Sequence, residues 1–504
     1  MSQISVSNLT FCYEGSFDNI FENASFSIDT DWKLGFIGRN GKGKTTFLNL
    51  LLGKYEYTGS INSNMIFDYF PYNVSSDTAD RPAIELMEDW KMGVESWRVM
   101  CELGPLNIDA ELLYRPFNTL SFGERTKIML AVLFSGDNDF LLIDEPTNHL
   151  DKEARNTIKN YLKSKKGFIL VSHDRDLLDA CIDHVLVLNR ATIEVQSGNF
   201  TTWWENKQKA DSFAESENAK HLKEIGKLKA SADRAERWAD KNESTKIGFD
   251  PIKEPERNIS TRAYIGAKTK KMQARVSSFE KRVDREIREK EGLLQDIERP
   301  SDLKLTTLEH YKNQLIRIKD VSVRYNDSAV PLFTGFNMDL MQHDIIFLDG
   351  RNGCGKSSLI KAILGEISDR IILDGTFEIA PNLIISYVNQ DTSHLKGSLK
   401  KHAESHRLDY SLLLTVLRQL DFDRVQFEKN MEDYSEGQKK KVLIASSLLT
   451  PAHLYIWDEP LNYIDVFSRM QIEKLIESFK PTMLLVEHDV RFKEKLATSI
   501  IPLS

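Results

Sequence analysis

Two eight-residue stretches carry the same chemistry: Gly38-Arg-Asn-Gly-Lys-Gly43-Lys44-Thr45 and Gly350-Arg-Asn-Gly-Cys-Gly355-Lys356-Ser357. Each fits the pattern GxxxxGK[ST], follows a β-rich run (KLGFI, DIIFL) and precedes an apolar helical segment. Glycines let backbone N–H groups turn inward around phosphate oxygens, and a helix N-terminus adds positive potential. Lys44 and Lys356 can neutralise terminal phosphates, while Thr45 and Ser357 can ligate Mg²⁺. One chance match in a chain of this length has a probability of about one or two per cent on average amino-acid usage. A second at a matching offset excludes a mere glycine-rich turn. The residues expected around a nucleotide are Gly38, Asn40, Gly41, Gly43, Lys44, Thr45 and Thr46 in the first loop. In the second they are Gly350, Asn352, Gly353, Gly355, Lys356, Ser357 and Ser358.

About a hundred residues after each loop, the apolar runs FLLID and LYIWD end at Asp144-Glu145 and Asp458-Glu459. Adjacent carboxylates at a strand end point to different places, because successive strand side chains alternate faces. Asp144 and Asp458 are expected to hold Mg²⁺. Glu145 and Glu459 are expected to orient and deprotonate a water that attacks a γ-phosphate. About 30 residues further on, strands run into Ser172-His173-Asp174 and Glu487-His488-Asp489, and the duplicated His173 and His488 are candidates to sense that phosphate. ATP with Mg²⁺ is the implied ligand.

These residues need a scaffold, and it is duplicated. Ile4–Tyr13 (ISVSNLTFCY) recurs in pattern as Ile316–Tyr325 (IRIKDVSVRY) at an offset of 312, which also carries Ile20-Phe21 onto Leu332-Phe333 and the first glycine loop onto the second. Ser121 and Asp144 map to Ser435 and Asp458 at 314, so neither copy has a large insertion that the other lacks. Short β-branched runs alternate with helical-period segments in both, which predicts two similar α/β domains built on mainly parallel sheets.

A chain of 504 residues exceeds one hydrophobic core, and its 41% hydrophobic and 28% charged residues describe an ordinary globular composition. No stretch approaches the roughly 18 consecutive apolar residues of a membrane span, and MSQISVSNLT lacks the character of a secretory leader. Cys12, Cys101, Cys181 and Cys354 are scattered, without a CxxC pair for zinc, an iron–sulfur cluster or a disulfide framework. The expected location is the cytoplasm, with no membrane partner. Net charge is −8, yet from Glu205 to Pro300 23 Lys and Arg stand against 19 Asp and Glu, leaving that segment at +4 and the remainder at −12.

That basic segment changes period. Leu222, Ile225, Leu228, Ala232 and Ala235 mark one apolar stripe, and Met272, Val276, Phe279, Val283 and Ile287 mark another. Gly248, Pro251 and Pro255 between them predict a reversal at about 244–261, hence an antiparallel helical hairpin, coiled-coil-like in its spacing. At 1.5 Å per residue a helix of about 40 residues reaches roughly 60 Å, so the hairpin is expected to project. The expected domains are 1–204, the hairpin at 205–298, and 299–504. Arg262 to Arg275 holds five basic residues and no acidic one, which suits RNA phosphates as well as a plain solvated face.

Leu120-Ser-Phe-Gly-Glu124 and Tyr434-Ser-Glu-Gly-Gln438 resemble the ABC signature, and Glu145-Pro-Thr-Asn-His-Leu-Asp151 resembles its D-loop. Over essentially its whole length the chain is similar to the ABC-F family: two tandem ABC-type P-loop ATPase domains joined by an α-helical hairpin. Ala263-Tyr-Ile-Gly-Ala-Lys268 and Pro460-Leu-Asn-Tyr-Ile-Asp465 are similar to the antibiotic-resistance branch of Lsa/Vga type. The resemblance implies a monomer with an intramolecular ATPase dimer, each P-loop being completed by the other domain's signature. Lys44, Asp144, Glu145 and His173 would meet Ser435 and Gly437; Lys356, Asp458, Glu459 and His488 would meet Ser121 and Gly123. Tyr13 and Tyr325 would stack on adenine, and Gln390 would be the Q-loop glutamine. Tyr72 stands where the first domain's glutamine is expected, Phe122 replaces a small signature residue, and Tyr463 stands opposite His149, so unequal rates at the two sites are expected.

The resemblance further implies a partner, the 70S ribosome. The hairpin would enter from the E site, against 23S rRNA, and displace P-site tRNA and bound lincosamide, streptogramin A or pleuromutilin, with hydrolysis driving release. Lys246, Phe249, Ile252, Arg262, Lys268 and Lys271 are the RNA-contact candidates. A housekeeping ABC-F translation factor and the ATPase subunit of an exporter are the alternatives. An iron–sulfur recycling factor is disfavoured by the missing cysteine clusters.

Overall fold

Ile4, Val6, Leu9 and Phe11 bury one face of the first strand, and the alternation slips by one residue at Asn8. Asn8 has φ 51° and marks a bulge; Asp320, at the matching position of the second copy, has φ 49° and does the same. The bulge crowds the neighbouring strand. A Cβ on Gly59 would lie 2.5 Å from the Asn8 carbonyl oxygen and one on Gly375 2.4 Å from that of Asp320, which explains a glycine at both places.

The computed structural model describes residues 2–14, 19–137, 139–148, 150–189, 192–244, 261–292, 303–325, 331–366 and 371–503. The first domain contains β1 (Gln3–Phe11), β2 (Phe21–Asp29), β3 (Lys33–Ile37), β4 (Thr58–Asn62), β5 (Ile66–Phe70), β6 (Asp139–Asp144), β7 (Phe168–Val171), β8 (His184–Asn189) and β9 (Thr192–Ser197). The second contains β10 (Gln314–Tyr325), β11 (Phe333–Met341), β12 (Ile345–Asp349), β13 (Ile371–Ile379), β14 (Ile385–Val388), β15 (Leu454–Asp458), β16 (Met483–Val486) and β17 (Ser499–Pro502). The main sheets run β5-β6-β7-β3-β8-β9 and β14-β15-β16-β12-β17. All their pairings are parallel except β8 with β9. The inner strands β7 (FILV) and β16 (MLLV) are buried along their whole length, as strands covered on both faces must be.

Parallel sheets account for only part of each domain. The repeated segments Ile4–Tyr13 and Ile316–Tyr325 lie in separate antiparallel sheets, β2-β1-β4 and β11-β10-β13. Their one-sided burial is the local sign of this. In the main sheets β3 and β6 flank β7, and β12 and β15 flank β16. The glycine loop, the Asp-Glu pair and the histidine therefore leave the sheet at adjacent C-terminal strand ends, where ligands of open α/β sheets bind.

The chain divides into two units, Met1–Trp203 with Pro300–Ser504, and Trp204–Arg299. The described part of the second unit is the helix Phe200–Ser244 from Trp204 onward and the helix Thr261–Gly292. The first of these starts at Phe200 because the Asn199 side chain accepts from the Thr202 N–H at 3.0 Å and caps it. Ile225, Val283 and Ile287 are buried together, with Leu228, Ala232 and Phe279 packed against them. Leu222, assigned to the apolar stripe, is instead 57% exposed, because the cluster begins one turn further along. Residues 245–260, with Lys246, Phe249 and Ile252, lie outside the described residues.

Candidate nucleotide-binding sites

After β3 the chain enters left-handed backbone at Gly41 (φ 77°) and Gly43 (φ 108°), then the helix Lys44–Leu51; Gly353 (φ 82°) and Gly355 (φ 103°) precede the helix Lys356–Leu364 in the same way. A Cβ on Gly43 would meet Ile20 at 2.5 Å and one on Gly355 would meet Phe333 at 3.0 Å, so only glycine fits this cradle. The Lys44 ammonium donates to Gly38 O (2.6 Å), Arg39 O (3.1 Å) and Asn40 Oδ1 (3.2 Å). Lys356 donates to Gly350 O (2.7 Å) and Arg351 O (2.9 Å). Burial lowers the Lys44 pKa, against the pull of Asp465 and Glu145. Tyr13 and Tyr325, each 41% exposed, share hydrogen bonds of 2.8 Å with Thr46 Oγ1 and 3.2 Å with Ser358 Oγ, which sets both rings beside their loops.

Thr45 Oγ1 donates to Asp144 Oδ2 at 3.2 Å and Ser357 Oγ to Asp458 Oδ2 at 3.0 Å. These pairs offer only hard oxygen donors beside the phosphate cradle, a set suited to Mg²⁺. Glu145 (φ 51°) and Glu459 (φ 47°) sit in left-handed backbone just past their strands. This left-handed twist acts together with strand alternation in turning each Glu away from its Asp. Glu145 Oε1 lies 3.3 Å from His173 Nε2, and Glu459 Oε1 lies 3.8 Å from His488 Nε2. Burial drives both imidazoles toward the neutral form, His173 well below the usual range and His488 to about 3. Glu145 Oε1 and both ring nitrogens of His488 are buried without a hydrogen-bond partner among the described residues. Orphaned buried polar atoms at this place fit a polar group such as a phosphate.

A cleft of about 400 Å³ in the second domain is lined by Tyr325, Asn352, Gly353, Gly355, Lys356, Ser357, Ser358, Gln390, Asp458 and Glu459, with Leu332. Ten expected residues thus share one wall. Gln390 Nε2 donates to Glu459 Oε2 at 2.8 Å, and Asn462 Nδ2 donates to the same oxygen at 2.7 Å. The first domain is wired differently. Tyr72 turns away, its hydroxyl donating to Asp68 Oδ2 (2.8 Å) and its ring stacked on Trp90 at 5.4 Å. Tyr69, three residues earlier, donates to Asp144 Oδ2 at 3.1 Å, whereas the equivalent Tyr387 donates to Asn389 at 3.3 Å. Sequence reasoning missed Tyr69 and Asn462. The duplicated Asn148/Asn462 and Tyr69/Tyr387 positions carried the signal.

Ser121 and Ser435 are N-caps of the helices Phe122–Leu133 and Glu436–Leu449, each closing a capping box with Glu124 or Gln438. The first loop faces the second domain. Asn40 Nδ2 donates to Tyr463 O at 2.8 Å, Arg39 pairs with Asp421 (2.9 Å) and Lys42 with Asp423 (3.6 Å). A Cβ on Gly437 would lie 2.6 Å from that same Tyr463 oxygen, which places the second signature against the first loop. The second loop meets the first domain through Arg351 and Glu153, 3.0 Å apart.

Burial, and then Asp144, push the Glu145 carboxyl from its ordinary 4.5 up to about 8. Between these values the folded protein keeps a proton that the unfolded chain releases. The resulting stabilisation is complete below about 4.5 and is lost as pH rises through about 8. Glu145→Gln cannot titrate. In nucleotide-free melts its Tm margin over the wild type is expected to widen by a few degrees between pH 5.5 and pH 8.5; a margin independent of pH would contradict the shift.

Two phosphate loops at the C-terminal ends of interior parallel strands, each beside a strand-end Asp-Glu pair and a buried neutral imidazole, define a nucleoside triphosphatase with two sites. The family model described as ABC transporter matches residues 21–148 and 333–462, half of the chain. The chain belongs to this family, as two tandem ATP-binding domains that hydrolyse ATP. It is 26% identical over 496 residues to the ribosome protection protein VmlR of Bacillus subtilis (strain 168), covering 98% of this chain and 85% of that protein. It is also 26% identical over 523 residues to the ATP-binding protein Uup of Buchnera aphidicola, covering 99% of this chain and 80% of that one. Among solved structures, the complex of archaeal ribosomal stalk protein aP1 with the ribosome recycling factor aABCE1 matches with a TM-score of 0.61 at 18% identity, over 98% of this chain and 87% of that chain. That last likeness is one of fold.

Proposed function

We propose that the chain is a ribosome-associated ATPase of the ABC-F group that protects the ribosome from antibiotics of the peptidyl-transferase centre. One observation carries this reading: a two-helix unit stands in sequence between the ATPase domains, with Lys270, Lys271 and Arg275 exposed on its second helix. The reading as an exporter's ATPase leaves this unit unexplained. The alignment with a protein named for ribosome protection spans 98% of this chain, the unit included. Among the described residues no helix is long and apolar enough to cross a membrane.

ATP binds between each P-loop and the opposite signature, with Lys44 and Lys356 on the phosphates and Tyr13 and Tyr325 on adenine. Thr45 with Asp144, and Ser357 with Asp458, would hold Mg²⁺, which would supply positive charge to offset that of the phosphates. Glu145 and Glu459 take the proton of the attacking water, and His173 and His488 face the γ-phosphate. Closure of the two domains drives the hairpin toward P-site tRNA from the E site. Lincosamides, streptogramin A and pleuromutilins are the drugs displaced.

Cosedimentation of the Glu145→Gln, Glu459→Gln double variant with 70S ribosomes in ATP, compared with membranes, tests this reading. Enrichment on ribosomes is expected; enrichment on membranes points to an exporter subunit. Ribosome binding with drug susceptibility untouched by Phe249→Ala and by every other substitution within 244–261 points to a housekeeping factor. Replacing Lys268 and Lys271 by Glu is expected to weaken ribosome binding and to reduce the slope of log K against log salt by about 2, one for each lost phosphate contact. Nucleotide affinity stays as in the wild type. An unchanged slope would leave these lysines as a solvated face.

A further inference from the structure

Gln390, Thr392 and Glu436 form a polar run in the second domain that the first domain replaces at every position. Strand pairing fixes the correspondence: Phe67 lies opposite Phe140 and Ile385 opposite Leu454, so Gln390 matches Tyr72 and Thr392 matches Val74. Glu436 and Phe122 each directly follow the signature serine.

The run begins at the second site, where Gln390 Nε2 donates to Glu459 Oε2 at 2.8 Å. Two residues on, the buried Thr392 Oγ1 donates to Glu436 Oε2 at 2.6 Å, and Lys439 Nζ reaches Glu436 Oε1 at 3.1 Å. The Thr392 bond helps to keep the Glu436 carboxyl below its ordinary range. Glu436 is the first residue of the helix that Ser435 caps, so whatever holds its carboxylate holds the orientation of that N-terminus. That N-terminus faces the first loop: Tyr463 O, which receives Asn40, lies 2.6 Å from the place of a Gly437 Cβ. In the first domain Val74 has no donor, Phe122 has no carboxylate, and Tyr72 is bonded to Asp68 and stacked on Trp90.

We propose that Thr392 is a positioning residue for the first nucleotide site. Through Glu436 it sets Ser435 against the Lys44 loop, and the two-residue backbone link to Gln390 ties that setting to the acceptor oxygen at 459. The two sites are joined by one polar path instead of two. This rests on the reading that each signature completes the other domain's site, and the test separates the two claims.

Thr392→Val is made in a Glu459→Gln background, where the first site alone turns over, and in a Glu145→Gln background, where the second alone does. Gln at 459 keeps an acceptor for Gln390. ATP kcat is expected to fall about tenfold in the first background, the loss of one hydrogen bond to a charged group, with KM within about twofold. The second background is expected to change by less than about twofold, and Thr392→Ser, which retains the hydroxyl, to restore the rate in the first. An equal fall in both backgrounds together with a lower Tm would make Thr392 merely structural and overturn the proposal, as would an unchanged first background. Ser435→Ala is the control: it should stop turnover in the Glu459→Gln background. If it stops turnover in the Glu145→Gln background instead, the crossed arrangement of signatures is wrong and the proposal falls with it. If the control behaves as expected and Thr392→Val does not, the positioning role alone is wrong.

Discussion

The double variant Glu145→Gln, Glu459→Gln is expected to bind ATP with near-native affinity and to hydrolyse it about 10²- to 10⁴-fold more slowly, the usual contribution of a positioned general base. Affinity survives because the phosphate cradle is made of other parts: glycine backbone, Lys44 and Lys356, and the Thr45–Asp144 and Ser357–Asp458 pairs. Each glutamate is buried next to an aspartate, and burial followed by that neighbouring charge raises its affinity for a proton. Glutamine keeps the size and an oxygen acceptor, so Gln390 and Asn462 retain their partner at 459, yet its amide cannot take a proton from water. Each single variant leaves one working site. Phosphate release under single-turnover conditions, with bound nucleotide counted by filtration, checks the result. Release at the wild-type rate from the double variant would remove both residues from the role of base.

Arg175→Met is expected to cost about 3–5 kcal/mol, the penalty for leaving a buried charge without its partner. Arg175 stands at the start of a first-domain helix, and its guanidinium makes a two-pronged hydrogen bond with Glu473 of the second domain, Nη1 at 3.3 Å from Oε2 and Nη2 bonded to Oε1. Both side chains are nearly inaccessible, 7% and 3% exposed. After the substitution the partner left to Glu473 among the described residues is Lys495, 3.9 Å away and itself 45% exposed, which places the cost toward the lower end of the range. A second contact, in which Arg491 pairs with Asp179 and donates to Thr201 Oγ1 at 3.3 Å, is more exposed and contributes less. The double variant Arg175→Met, Glu473→Leu is expected to recover most of the loss, because it removes the stranded charge as well as the pair. Urea unfolding followed by tryptophan fluorescence measures this. A single-variant loss below about 0.5 kcal/mol, the range of ordinary surface substitutions, would mean that water reaches the pair.

The residues whose roles are local were legible in the sequence by itself. Gly41, Gly43 and Lys44 sit within four positions, and their backbone angles and helix start follow from residue type, so the loop could be read without knowing what surrounds it. Duplication did the rest, since Asp144 and Asp458 or His173 and His488 at matching distances identify each other. The apolar stripes of Ile225, Leu228, Phe279, Val283 and Ile287 likewise announced two packed helices through their 3.6-residue period.

What the tertiary structure decided depends on residues far apart in the chain that strand order brings together. The antiparallel layer built on β1 and β10 shows locally only as one-sided burial, because pairing direction is a property of two segments and no single segment carries it. The Tyr72 departure read as a missing glutamine; only packing shows the ring captured by Trp90 and Asp68 while Tyr69 reaches Asp144. Likewise no pattern within either copy joins Asn40 to Tyr463, Arg175 to Glu473 or Thr392 to Glu436. Each of these bonds forms where separate elements meet, and a side chain's partner there is set by the geometry of the whole fold, which local residue preference does not encode.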